Sequence, residues 1–117
     1  MVAAAVMAFS VNALAQPLTA FPEGAEAITP EVLREALSGK VFAIKPANGQ
    51  PWRWRFDANG DFLLNIASYS NAGKWSTKES SVCQDSGKNP GCNEMKKKDN
   101  VLYLKRDSGE VVTFQPQ

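Results

Sequence analysis

Histidine is absent from the 117 residues of this chain. That removes the commonest general acid–base group, the imidazole of a serine triad and any His-ligated zinc site. Cysteine is scarce, with Cys83 and Cys92 the only two. Two thiolates alone do not complete a metal site, so a disulfide is expected, and with it an oxidising compartment. Neither sign of charge dominates. A net charge of +1 supplies no electrostatic footprint for nucleic acid or another polyanion. The only sustained apolar run, residues 1–15 (MVAAAVMAFSVNALA), is too short to span a membrane.

That run reads instead as a signal peptide. It ends in Ala13-Leu14-Ala15, the small-x-small pattern of a cleavage site, with Gln16 as the first mature residue. It lacks a positive n-region, so the translation start is expected upstream of Met1. A cytoplasmic protein with an apolar N-terminus is the competing reading. No cysteine follows the run to carry a lipid anchor. Residues 16–117 are then one small periplasmic or secreted domain, whose modest core gains from a covalent staple.

What is present is organised around Trp52 to Ile66, WRWRFDANGDFLLNI. Trp52, Trp54 and Phe56 alternate with Arg53, Arg55 and Asp57, and Phe62, Leu64 and Ile66 alternate on the outgoing side, the period of two paired strands. A two-residue Asn59-Gly60 turn would put the two apolar sets on opposite faces. A three-residue loop, Ala58-Asn59-Gly60 with Gly60 left-handed, pairs Phe56 with Phe62, Trp54 with Leu64 and Trp52 with Ile66, and it is favoured because register follows the buried face. Ala47-Asn48-Gly49 repeats the device, pairing Ile44 with Trp52 and Phe42 with Trp54. Asp107-Ser108-Gly109 repeats it again, pairing Leu104 with Val112 and Leu102 with Phe114. Three such closures argue for a consecutive antiparallel meander.

Upstream, residues 16–28 form an irregular leader punctuated by Pro17, Pro22 and Gly24. A short helix follows, capped by Thr29, with Pro30 at its first position, Glu31 at the positive end of the dipole and Gly39 beyond its end. Val32, Leu33, Ala36 and Leu37 form its apolar face, which should lie on a sheet or plug a barrel end. Strands are expected at 40–45, 52–57, 61–68, 74–78, 82–83 with a short extension, 92–97, 101–106 and 110–115. Loops are expected at Tyr69–Gly73 and Gln84–Gly91. A tight turn at Asp99-Asn100 would pair Met95 with Leu104. The fold class is therefore mainly β: an antiparallel meander of seven or eight short strands curled into a small barrel or barrel-like sheet, with one short N-terminal helix. The domain runs over 29–117, filled by Trp52, Trp54, Phe56, Phe62, Leu64, Ile66, Trp75, Leu102, Leu104, Val112 and Phe114.

The helix, Gly39-Lys40-x-Phe42, an F-x-x-x-G-x-F hairpin, Gly73-Lys74-Trp75, the two-cysteine loop and a final L-x-L…G…F hairpin resemble a group of small exported bacterial proteins of unknown function, themselves similar to lipocalin-like β-barrels. The resemblance covers nearly all of residues 16–117. It implies export and a β fold, and it carries no catalytic residues across.

Several constellations suggest chemistry and are better explained by geometry. Asp57-Ala58-Asn59-Gly60-Asp61 resembles the opening of a calcium loop, but Phe62 stands where an EF-hand needs glycine, Ser68 where it needs an acid, and strands flank it. Trp52-Arg53-Trp54-Arg55 offers aromatics and arginines for nucleic acid, yet alternation sends them to opposite faces of one strand. Lys96-Lys97-Lys98 reads as a charged edge that resists aggregation. The acid pairs Asp57/Asp61 and Asp107/Glu110 sit at turns, and Ser80, Ser81 and Ser86 have no base beside them, so no catalytic residues are expected; an acid-pair hydrolase is the remaining enzymatic alternative.

The expectation is a non-enzymatic binding module without metal or cofactor. Trp52, Trp54 and Trp75 either fill the barrel, which packing favours, or line a pocket for an apolar ligand. The partner is a small apolar molecule or an envelope or secreted protein, with no nucleic acid and no membrane span. The alternatives are an inhibitor of a secreted protease or lysozyme, using the leader or the 84–91 loop as a wedge, and an accessory part of an envelope assembly.

Overall fold

In the computed structural model, residues 17–87 and 90–117 are described, and the signal-peptide reading of residues 1–15 lies outside them. The elements in chain order are β1 (Glu26–Ala27), α1 (Pro30–Leu37), β2 (Lys40–Ile44), β3 (Trp52–Phe56), β4 (Asp61–Ile66), β5 (Tyr69–Lys78), β6 (Ser81–Asp85), β7 (Gly91–Lys98), β8 (Val101–Lys105) and β9 (Val111–Pro116). Each of β2 to β9 pairs antiparallel with its sequence neighbour, and β2 also pairs with β9, so eight strands close into a barrel. The closing seam is short, Phe42 opposite Pro116 and Ala43 opposite Gln115, and joining the two end strands of the meander there covers part of the edge that an open sheet would expose.

The registers follow from burying one face of every strand. Phe56 stands opposite Phe62, Trp54 opposite Leu64 and Trp52 opposite Ile66. Ile44 faces Trp52, Leu104 faces Val112, and Met95 faces Leu104. The third residue of each three-residue loop adopts positive φ, +84° at Gly49, +99° at Gly60 and +96° at Gly109, which spares a Cβ the left-handed clash. At the β7–β8 turn Asp99 and Asn100 both take positive φ, 53° and 67°, the pair of values a two-residue hairpin turn demands.

Two expectations need correcting. Tyr69 to Gly73 is no loop. It is the first half of the ten-residue β5, and the chain reverses at Ala67-Ser68, with Ala67 at φ 53°. Likewise β6 spans five residues and is joined to β5 through Glu79, at φ 54°, and Ser80. Neither reversal contains glycine or asparagine. Six cross-strand pairs between β4 and β5 outweigh the cost of one unfavourable φ.

The barrel interior is packed with aromatic rings. Trp54 stacks on Phe56 at 5.0 Å between centroids, Phe56 meets Trp75 edge-on at 5.2 Å, and Phe42 lies 5.1 Å from Phe114. Of the strand residues expected to fill the barrel, only Ile66 is less than buried, and Met95 and Val82 join the core. Helix α1 plugs one end. Thr29 Oγ1 accepts from the Val32 N–H, Leu33 and Leu37 are 0 % exposed, and Thr77 Oγ1 donates to Pro30 O at 2.9 Å. Val32 is 47 % exposed, because the helix presses a narrower stripe into the barrel than its apolar residues could cover.

The leader is sewn along the outside. The Val111 N–H donates to Leu18 O at 2.7 Å, Lys98 Nζ donates to Glu23 O at 2.6 Å, and β1 pairs Glu26 with Lys97 and Ala27 with Lys96. The Ile28 N–H then donates to Ser80 Oγ, whose own hydroxyl donates to Met95 O. β1 thus occupies the edge of β7 that β6 leaves free beyond its turn.

Candidate functional site at the open end of the barrel

Strand polarity sorts the connections. Alpha-helix α1 and the turns at 57–60, 79–80 and 99–100 lie at one end, while the 45–51, 67–68 and 106–110 connections and the end of β6 lie at the other. At this open end a cavity of about 200 Å³ is walled by Trp52, Trp54, Leu64 and Leu104, with Gln84, Asn93 and Arg106 among its polar groups. Alternation explains the membership: Trp52, Trp54, Leu64, Gln84 and Leu104 all occupy inward positions of their strands.

The rim is held by hydrogen bonds. Arg106 lies over the ring of Trp52, its guanidinium carbon 4.8 Å from the centroid, and its Nη1 donates to Glu110 Oε1 at 2.6 Å. Glu110 Oε2 accepts from the Ala47 N–H at 2.9 Å, which ties the 45–51 connection to the 106–110 loop. Asn93 Nδ2 donates to Lys105 O and to Asp107 Oδ1. Tyr69, on the same register as Ile66, stands 58 % exposed at the tip of the β4–β5 hairpin.

Inside the wall two polar atoms are unmatched. Trp54 Nε1 and Gln84 Oε1 are buried and have no hydrogen-bond partner among the described residues. The indole N–H can only donate and the amide oxygen can only accept, so the two are complementary. Burying either unpaired costs roughly 1–3 kcal/mol.

The three tryptophans do not share this site. Trp52 and Trp54 line it, at 8 % and 3 % exposure. Trp75 lies toward the helix end, where its Nε1 donates to Asp57 O at 2.9 Å and the Arg34 guanidinium sits 5.1 Å from its ring. Gln84 and Arg106 belong to the site and were not legible as members. The inward register of Gln84 depends on where β6 begins, and no turn residue marks that point.

Cys83 and Cys92 are bonded to each other, directly opposite across β6 and β7 on the outer face, away from the cavity. The acids of the Asp57–Asp61 turn each hold a base: Arg55 Nε donates to Asp57 Oδ1 at 2.9 Å, and Lys74 Nζ to Asp61 Oδ1 at 2.5 Å. The hydrogen bond from Lys74 keeps the Asp61 carboxyl below its ordinary value of 3.8. No helix among the described residues is long and apolar enough to cross a membrane. No family model, curated protein or solved structure matches this chain.

Proposed function

We propose that this chain is an exported, non-enzymatic binding module of lipocalin-like kind, which takes a small amphipathic ligand at the open end of its barrel. The observation that carries this reading is the cavity walled by Trp52 and Trp54, with a buried donor on Trp54 and a buried acceptor on Gln84 left unpaired. Aromatic walls with a few convergent polar groups are what small-molecule sites offer. The ligand would be apolar over most of its surface and carry an acceptor and a donor close together, as an amide or a hydroxyl does. With the barrel below filled by Phe56, Phe62 and Phe114, the ligand is small and sits at the mouth rather than deep in the interior. Export to the periplasm or beyond is supported by the Cys83–Cys92 disulfide.

The test is native mass spectrometry of the protein purified gently from the periplasm, beside a denatured control. A small molecule retained natively and lost on denaturation supports the proposal, and its release by Trp54→Phe assigns it to the mouth. A bare protein whose tryptophan emission also stays unchanged during titration with periplasmic small-molecule extract refutes it.

A further inference from the structure

The helix-covered end of the barrel carries charge where its register calls for apolar side chains. Along β2, Lys40 shares the inward face with Phe42 and Ile44, and its cross-strand partner is the fully buried Phe56. Along β7, Lys97 shares the inward face with Met95, and its partner is the buried Leu102. Two lysines therefore stand at the interior rim of the barrel, above a layer of rings and aliphatic chains.

The helix does not cover them. Alpha-helix α1 packs chiefly on β5, with lesser contact on β2 and β6, and so leaves the side formed by β7, β8 and β9 open. The opening is a cleft of about 330 Å³. Its floor is Phe42, Leu102 and Phe114, Ala36 of α1 is one wall, and Lys40 and Lys97 stand at its rim. Among the described residues no carboxylate lines it. Lys40 Nζ donates to the Glu35 and Ala36 carbonyls at the end of α1, at 3.4 and 3.2 Å, and is thereby fixed over the cleft. Lys97 makes no side-chain hydrogen bond or ion pair with any described residue, including Glu26, its cross-strand neighbour in β1.

We infer that this cleft binds an anionic amphiphile, with an alkyl chain on Phe42, Leu102 and Phe114 and an anionic head between Lys97 and Lys40. Lysines at strand ends also deter aggregation, but those that do so need neither an inward register nor an open apolar floor. An apolar floor alone would accept any oily group; the two ammonium groups, with no acid in the described lining, select an anionic head. This site lies at the opposite end from the tryptophan-walled mouth and does not rest on the reading of that mouth.

Octanoate is the probe, titrated below its micellar concentration into the full disulfide-bonded protein labelled with nitrogen-15. The expected result is saturable shifts of the Lys97, Asn100, Leu102 and Phe114 amides. Shortening to hexanoate should weaken binding by roughly fourfold per methylene removed. Replacing octanoate by 1-octanol should weaken it by about fivefold, the value of an exposed ion pair. Lys97→Gln should bring octanoate part of the way to the octanol affinity, Lys40 remaining, while leaving octanol unchanged, and Glu26→Gln should tighten octanoate. Lys97 is exposed, so the variant keeps the barrel, which its amide spectrum verifies. Shifts confined to the Trp52 and Trp54 mouth, equal affinities for octanoate and octanol, or no saturable shift at all would each overturn the inference.

Discussion

Of the described glycines, Gly73 makes the closest approach to neighbouring backbone, and replacing it with alanine should destabilise the fold out of proportion to one methyl group. A Cβ built there would lie 2.2 Å from Asp85 O, 2.8 Å from Ser86 Cα and 2.9 Å from the Asp85 carbonyl carbon. All three are backbone atoms, so no side chain can swing aside. Restoring ordinary contact at the oxygen needs a shift of about 1.2 Å between β5 and β6. That shift acts where Lys74 pairs with Asp85 and Trp75 with Gln84. Overpacking of this kind costs about 1–3 kcal/mol, and a disturbed ladder bond adds about 1 kcal/mol. The loss of glycine's freedom in the unfolded chain returns about 0.4–1 kcal/mol. The net expectation is a loss of about 1–3.5 kcal/mol. Urea unfolding followed by tryptophan emission, with the disulfide intact, should show the midpoint falling by roughly 1–2 M at the slope usual for a small domain. Gly91→Ala is the control, because nothing lies within 4 Å of a Cβ there; it should be neutral or slightly stabilising. Equal midpoints for the two variants would refute the close-approach argument.

Trp75→Phe should cost about 1–2 kcal/mol more than Trp54→Phe in the same unfolding assay, since only the Trp75 indole has a partner to lose, Asp57 O, while the Trp54 N–H is unpaired already; equal losses would mean that Trp54 is paired in solution. Replacing both Cys83 and Cys92 with alanine should lower stability by about 2.5–3 kcal/mol, the chain-entropy value for so short a loop, and thermal unfolding with and without a reductant should show the same difference. Asp61 has a folded pKa held below its unfolded value by Lys74. The stability it contributes is therefore fully present above the ordinary value of 3.8 and fades as pH falls through the lower folded value. Lys74→Met should raise the Asp61 midpoint in a carbon-13 carboxyl titration and remove that acid-side loss, and a midpoint that stays put would show that the ion pair does not persist in solution.

Most of the wall was legible because its signals are local. Asn48-Gly49, Asn59-Gly60 and Ser108-Gly109 each end a loop whose length is dictated by the apolar alternation on either side, and those constraints leave one register. Thr29, Pro30 and Gly39 mark the ends of α1 in the same way. The reversals at Ala67-Ser68 and Glu79-Ser80 carry no such mark. Ala67 and Glu79 take positive φ only because the strands they join pair with each other, a cost that is visible once the partners are in place. The Tyr69–Gly73 stretch, rich in small polar residues, looked like a loop for the same reason.

The candidate sites divide along the same line. Trp52 and Trp54 were identifiable as inward neighbours from period two alone. That Trp75 turns away to the helix end follows from its bond to Asp57 O across 18 residues. That Gln84 lacks a donor, that Arg106 lies on Trp52, and that Lys40 and Lys97 stand over one uncovered floor follow from contacts distant in the chain.

The amino-acid sequence by itself determined the strand-rich class, the capped helix, three hairpin registers and the identity of the disulfide partners, because each depends on residues a few positions apart. Tertiary structure decided the rest: closure of β9 onto β2, the leader's path along β7 and β9, and which end of the barrel the helix covers. Those outcomes depend on which distant surfaces can be buried together, and burial is a property of the assembled chain, which no short window contains.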